Sequence, residues 1–294
     1  MYNQIDSNKR KTWFLIAIFV AIIALIGYVV GYIYDYGNGA LLAALIFSAA
    51  MALLSYYGGD KVALISTGAK AISETDNQYI FHLVENLCIT AGLPMPKIYL
   101  ISDPAINAFA TGRDPKHASI AVTTGAVEKL TNEELEGVIA HELSHIKNFD
   151  IRLMTIVIVL VGAITLLADW FWRGSLFGGR KSDSDSKGNG ALMIIGIILL
   201  ILSPIIAELI KLAISRKREY LADASGSLLT RYPEGLARAL EKISQENRPM
   251  AKASTATAHL FIANPLGRGK KFLSAAFSTH PPVEDRIKKL REMA

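Results

Sequence analysis

Long uncharged runs alternate with amphipathic ones along this chain, and the first, Trp13 to Tyr34, holds 22 residues without a charge. As a helix it would measure about 33 Å, against a hydrocarbon core of about 30 Å. A polar turn, Asp35 to Asn38, leads into a second apolar run, Gly39 to Tyr57, so residues 13–57 are expected to form a transmembrane hairpin. A third run, Leu153 to Trp172, ends in Trp170, Phe171 and Trp172, ring types that favour the membrane interface. The fourth, residues 191–212, is interrupted by Pro204, Glu208 and Lys211. Four spans are expected; the interruption leaves open a topology of two spans and a membrane-resting hairpin.

The intervening stretches read as folded. Ser73 to Ala91 has helical spacing, with Ile80, Leu83, Val84 and Leu87 on one face and Glu74, Asp76 and Glu85 on the other. Lys97–Ile101 and Ser119–Val122 read as strands, and Asn107–Gly112 between them as a turn-rich connection. Thr131-Asn132-Glu133-Glu134 is a capping box that opens a helix carrying Leu135, Val138 and Ile139 on its buried face. The fold expected is mainly α with a small β-sheet, a polytopic membrane protein bearing a folded domain outside the bilayer.

That helix carries His141-Glu142-Leu143-Ser144-His145. At 3.6 residues per turn two histidines four apart lie one above the other, so both imidazoles can reach one tetrahedral Zn²⁺ with Glu142 beside its open position. The chemistry needs a third ligand. Ser215 to Gly226 offers Glu219 and Asp223, four apart on one helical face, so Glu219 can reach the metal while Asp223 accepts a hydrogen bond from a ligand histidine. Taken alone, an acidic residue amid Arg216, Lys217 and Arg218 is a solvated, salt-bridged face. The upstream motif favours Glu219. Glu208 is the rival, about 16 Å further along the helix axis and in the membrane run. His259 is a lesser candidate within Glu246–Ser278, a stretch of little periodicity suited to a flap over the cleft, and His82 and His117 are read as structural or solvated. Three protein ligands leave one zinc position for water, with Glu142 as general base.

Composition narrows the class. Of 294 residues 51% are hydrophobic, and the mean hydropathy is +0.32, too apolar for an ordinary soluble enzyme. The net charge of +5 comes from basic residues that flank apolar runs, which speaks for a lipid bilayer as partner and against nucleic acid. Lys9, Arg10 and Lys11 precede the first span and the following turn has no basic residue, so both termini and the site are expected in the cytoplasm. The domains expected are a cytoplasmic segment 1–12, the hairpin 13–57, a cytoplasmic catalytic segment 58–150, the spans 151–172 and 191–212 joined by an extracytoplasmic low-complexity loop 173–190, and a further cytoplasmic catalytic segment 213–294. The first apolar core is longer than a cleavable signal's, so an uncleaved anchor is expected. The single cysteine, Cys88, sits in the Ser73–Ala91 pattern as a small hydrophobe.

Asn107-Ala108-Phe109-Ala110, His141 to Asp150, Arg218-Glu219-Tyr220-Leu221-Ala222-Asp223 and Ser278-Thr279-His280-Pro281-Pro282 with Arg286 resemble the HtpX-type membrane zinc metalloproteases, relatives of the CAAX prenyl proteases. The resemblance spans nearly the whole chain. It implies a gluzincin with one Zn²⁺ on His141, His145 and Glu219, Glu142 as base, Asn107 on the substrate backbone, and His280 and Arg286 at the active site as oxyanion and outer partners. It also implies polypeptide substrates, damaged or misassembled membrane proteins, cleaved at a bacterial inner membrane in protein quality control. The residues by themselves allow a turn-capping Asn107, a helix-preceding His280 and an Arg286 paired with Glu284 or Asp285. A prenyl-protein processing enzyme and a non-enzymatic zinc-binding scaffold are the alternatives. Four spans argue against the first, and an intact Glu142 against the second.

Overall fold

The computed structural model describes residues 2–33, 35–177, 196, 216–246, 248–254, 257–267 and 281–293. The first helix, α1 (Tyr2–Ile33), runs without a break from the polar leader into the apolar run, and Ile5–Ile33 is long and apolar enough to cross a membrane. The second, α2 (Asn38–Thr67), also qualifies, and it runs ten residues past Tyr57 before Gly68 turns the chain in the left-handed region. Gly27 of α1 lies so close to α2 that a Cβ there would stand 2.3 Å from that of Ala44, the close approach small residues allow between apolar helices. The third apolar helix, α6 (Asp150–Phe177), meets the same criteria over Asp150–Leu167. The fourth apolar run, with Pro204, Glu208 and Lys211, lies outside the described residues apart from position 196, as does most of the 173–190 loop.

Between α2 and α6 lies a four-stranded mixed sheet. Its strands are β1 (Lys70–Ala71), β2 (Lys97–Ile101), β3 (Ala108–Gly112) and β4 (Ala118–Thr123), ordered β1-β2-β4-β3, with β2 and β4 parallel and the other pairs antiparallel. The two expected strands are present. The Asn107–Gly112 connection is instead mostly the edge strand β3, and its Ala-Phe-Ala-Thr-Gly composition hid a strand that is buried along its whole length. Because successive side chains point to opposite faces, Ala108, Ala110, Ile120 and Val122 pack towards α3 (Gln78–Ala91) and α5 (Asn132–Lys147), whereas Phe109 and Ala121 pack towards Ala63, Leu64, Met154 and Ile158 of α2 and α6. A sheet covered on both faces has no need of an alternating sequence.

The helix expected from Ser73 starts at Gln78. Asp76 accepts from Ser73 N and Oγ in a turn, and the Asn77 side chain caps the helix by accepting from Ile80 N. Cys88 is buried, and burial pushes its thiol up to about 11. A short helix, α4 (Thr124–Lys129), precedes α5. At the α5 start the Glu134 carboxylate accepts from Thr131 N at 2.8 Å, as the capping box predicts, and also meets Lys242 Nζ at 2.6 Å. That lysine belongs to α8 (Pro233–Glu246), which follows α7 (Arg216–Thr230); α9 (Val283–Arg291) completes the described elements.

Candidate metal centre

On α5 the four-residue spacing of His141 and His145 sets their rings edge-to-face, and the two Nε2 atoms stand 3.1 Å apart. Glu219 on α7 comes from the other side, with Oε1 3.6 Å from His145 Nε2 and Oε2 3.9 Å from His141 Nε2. One donor atom from each of the three lies within 4.8 Å of the others. What brings α7 so near is Gly226, seven residues and two turns after Glu219 on the same face: a Cβ there would stand 3.0 Å from His141 N.

Both imidazoles are oriented from behind. Asp223, one turn beyond Glu219, places Oδ1 2.9 Å from His141 Nδ1. Asp150, at the start of α6, places Oδ2 3.1 Å from His145 Nδ1. A carboxylate only accepts, so in a metal-ligating, neutral ring each Nδ1 would carry the proton and leave Nε2 for the metal. Two nitrogens on one Zn²⁺ at 2.0–2.1 Å would be roughly 3.3 Å apart in a tetrahedron, close to the 3.1 Å between these two Nε2 atoms. Charge balance points the same way. Among the described residues, four carboxyl groups, Glu142, Asp150, Glu219 and Asp223, are buried around this cluster against two guanidiniums, Arg218 and Arg286, an acidic surplus that suits a divalent cation. The donor set therefore fits a metal ion.

Glu142 is 2% exposed, and its carboxylate accepts from the backbone N–H of Ala110 on β3. Burial pushes its pKa up to about 8, against the neighbouring His145. Burial would hold His145 down, but its hydrogen bond to Asp150 and the Glu219 charge raise it to about 9. Burial also works against ionised Asp223, and the Arg286 guanidinium and His141 outweigh it, holding the carboxyl at about 2. Burial pushes His141 the opposite way from His145, down to about 4, against its Asp223 neighbour, so this ring is held neutral as a metal ligand must be.

Asn107 lies at the entry to β3. Its side chain donates to the Ala263 carbonyl at 3.1 Å and approaches Met250 Sδ at 3.6 Å. Ile262 N donates to the Ala108 carbonyl at 3.0 Å, and Phe261 packs edge-on against Phe109. So the described portion of Glu246–Ser278 is docked on β3 with Phe261 fully buried, and is not a free flap. Arg286, on α9, neither faces solvent nor pairs with Glu284 or Asp285. It is buried, grips Asp223, donates from Nη1 to the Ile262 carbonyl at 3.1 Å and stands 3.9 Å from Glu219 Oε2. His259 Nε2 lies 3.2 Å from the Met154 carbonyl, in a different contact from the metal cluster. His82 and His117 are half-exposed beside Glu74, Glu85 and Asp114. His280 and Glu208 lie outside the described residues.

One functional side chain escaped the sequence reading. Asp150, five residues after His145, looks like an acidic residue opening a membrane helix; it returns to His145 because Phe149 adopts a left-handed conformation (φ 59°) between α5 and α6. Such a conformation costs a residue with a Cβ roughly 1–2 kcal/mol, and here Lys9 and Arg152 flank the ring, each 5.0 Å from its centroid. A carboxylate five residues after the motif was the signal that could have found it.

Residues 74–294 match the family model for peptidase family M48. The protease HtpX homolog of Dictyoglomus thermophilum is 44% identical over 292 residues, covering 99% of this chain and 94% of that protein. The protease HtpX homolog of Tropheryma whipplei strain Twist is 46% identical over 294 residues, covering 100% and 98%. The crystal structure of S. mikatae Ste24p aligns with a TM-score of 0.54 at 21% identity, over 99% of this chain and 67% of that one, a likeness of fold. The chain belongs to peptidase family M48 and is an HtpX-type, membrane-associated metallopeptidase.

Proposed function

We propose that the chain is a membrane-integrated zinc endopeptidase that hydrolyses peptide bonds of damaged or misassembled membrane proteins at the cytoplasmic face of a bacterial inner membrane. The observation that carries the reading is the convergence of His141 Nε2, His145 Nε2 and the Glu219 carboxylate, with the buried Glu142 beside them. His141, His145 and Glu219 would hold one Zn²⁺ per chain, an assignment favoured by two imidazoles and one carboxylate with a position left open. When bound, the ion supplies Lewis-acid chemistry, acidifying water and polarising a carbonyl.

The protein's own groups do the rest. Glu142 takes the proton of the attacking water and returns it to the leaving amine, and its contact with Ala110 N–H fixes where it does so. Asp223 and Asp150 keep both imidazoles in the Nδ1–H tautomer, so that each Nε2 is free to ligate. Arg286 holds Asp223 and lies close enough to Glu219 to steady that carboxylate too. Asn107, at the rim of β3, contacts the substrate backbone, and His280 serves the oxyanion. The three basic residues of early α1 support a cytoplasmic N-terminus, and with it cytoplasmic placement of 58–150 and 213–294 around spans at 13–57, 151–172 and 191–212.

The test is hydrolysis of an unfolded polypeptide by the detergent-purified chain. Chelation should abolish cleavage, Zn²⁺ should restore it, and Glu142→Gln should be inert while still binding metal. Undiminished hydrolysis after complete chelation would end this reading.

A further inference from the structure

We propose that Asn8, near the start of the first apolar helix, is a positioning residue for the metal centre, acting through Asp150 on His145. The inference rests on the metal reading of the site. Asn8 is 1% exposed, and its amide is engaged at both ends across a sequence gap of 140 residues or more. Its Nδ2 donates to the Asn148 carbonyl at 3.0 Å and to Asp150 Oδ1 at 2.7 Å. Its Oδ1 accepts from Arg218 Nη1 at 3.2 Å, and Arg218 immediately precedes Glu219.

One side chain thus joins the α5–α6 turn to the helix that carries the third candidate ligand. Asp150 divides its oxygens: Oδ1 takes the Asn8 amide, with Arg218 Nη1 at 3.4 Å, and Oδ2 faces His145 Nδ1. With the amide gone, the nearest cation to Oδ1 among the described residues is Arg218 at 3.4 Å, and the Asn148 carbonyl loses a buried donor. The carboxylate is then free to swing towards the guanidinium and away from the imidazole. An outer partner of a ligating histidine is worth roughly 10–100-fold in metal affinity, so a group that aims this partner should be worth about the lower end of that range.

A plain helix-docking role for Asn8 makes different predictions. Docking of α1 also depends on Phe19, buried against Ile156 and Leu160 of α6 and well removed from the metal cluster. The experiment uses the full chain in detergent, with Zn²⁺ affinity from chelator competition and the visible absorption of Co²⁺ as readouts. Asn8→Ala should lower affinity about tenfold and alter the Co²⁺ bands. In a double-mutant cycle, Asn8→Ala in an Asp150→Ala background should cost nothing further. Phe19→Ala should lower thermal stability yet leave affinity and spectrum unchanged. Should Asn8→Ala fail to fold, Asn8→Asp keeps the volume, removes the donor to Asp150 and should also weaken binding. Wild-type affinity and spectrum in the folded Asn8 variants, or a loss that adds fully to that of Asp150→Ala, overturns the proposal. A wild-type chain that binds no Zn²⁺ or Co²⁺ would instead overturn the metal reading itself.

Discussion

Arg286 grips Asp223 through two parallel hydrogen bonds, Nε to Oδ2 at 2.9 Å and Nη2 to Oδ1 at 2.6 Å, joining α9 to α7 across 63 residues of sequence. Both side chains are buried, and Asp223 in turn meets His141. Breaking one partner of such a pair strands the other charge. Arg286→Leu should therefore cost about 3–5 kcal/mol. Arg286→Lys, which keeps the charge and loses the fork, should cost less but still be measurable. Denaturant unfolding of the detergent-solubilised protein reads both, and a stability for Arg286→Leu equal to wild type would show that the pair carries no weight.

Glu142→Gln should separate binding from chemistry. The amide keeps the size of the carboxylate and the metal donors are untouched, so one metal per chain should remain. Loss of the base should slow hydrolysis by roughly 10²–10⁴-fold. Elemental analysis beside a cleavage assay checks the two halves independently.

Metal retention discriminates among the candidate ligands. Glu219→Ala should lose the metal, whereas His259→Ala should keep it and lose about 1–3 kcal/mol of stability as the Met154 carbonyl is left without its buried contact. Stoichiometric zinc in purified Glu219→Ala would redirect the ligand search to Glu208.

Gly226 tests how closely α7 must lie on α5. A valine there meets the His141 backbone, pushing Glu219 outward, so metal affinity should fall by more than about tenfold while the span helices stay intact. Gly162 of α6 has no neighbour within 4 Å of a Cβ among the described residues, and its replacement by alanine should be neutral or stabilising by up to about 1 kcal/mol. Equal metal affinity for Gly226→Val and wild type would mean that the close approach is not needed.

Much of this was legible in the residues because helical periodicity is local. His141 and His145 share a face wherever they are helical, as do Glu219 and Asp223, and long uncharged runs announce α1, α2 and α6 by length and polarity. β3 was illegible because small residues buried on both faces leave no alternation to read. The reach of α2 to Thr67 was missed because Gly58, Gly59, Asp60 and Lys61 read as the end of an apolar run, although a helix can leave the membrane and continue.

Spacing along a helix thus settled which donor atoms could share one face, and hydropathy settled which helices could enter a bilayer. Folding alone decided that the two halves of the candidate site meet. It took the close crossing at Gly226, the left-handed Phe149 that returns Asp150 to His145, and the reach of Arg286 to Asp223. Each joins residues that are neighbours only once distant helices pack, or once the backbone adopts a conformation that residue preferences disfavour, so neither composition nor periodicity could announce them.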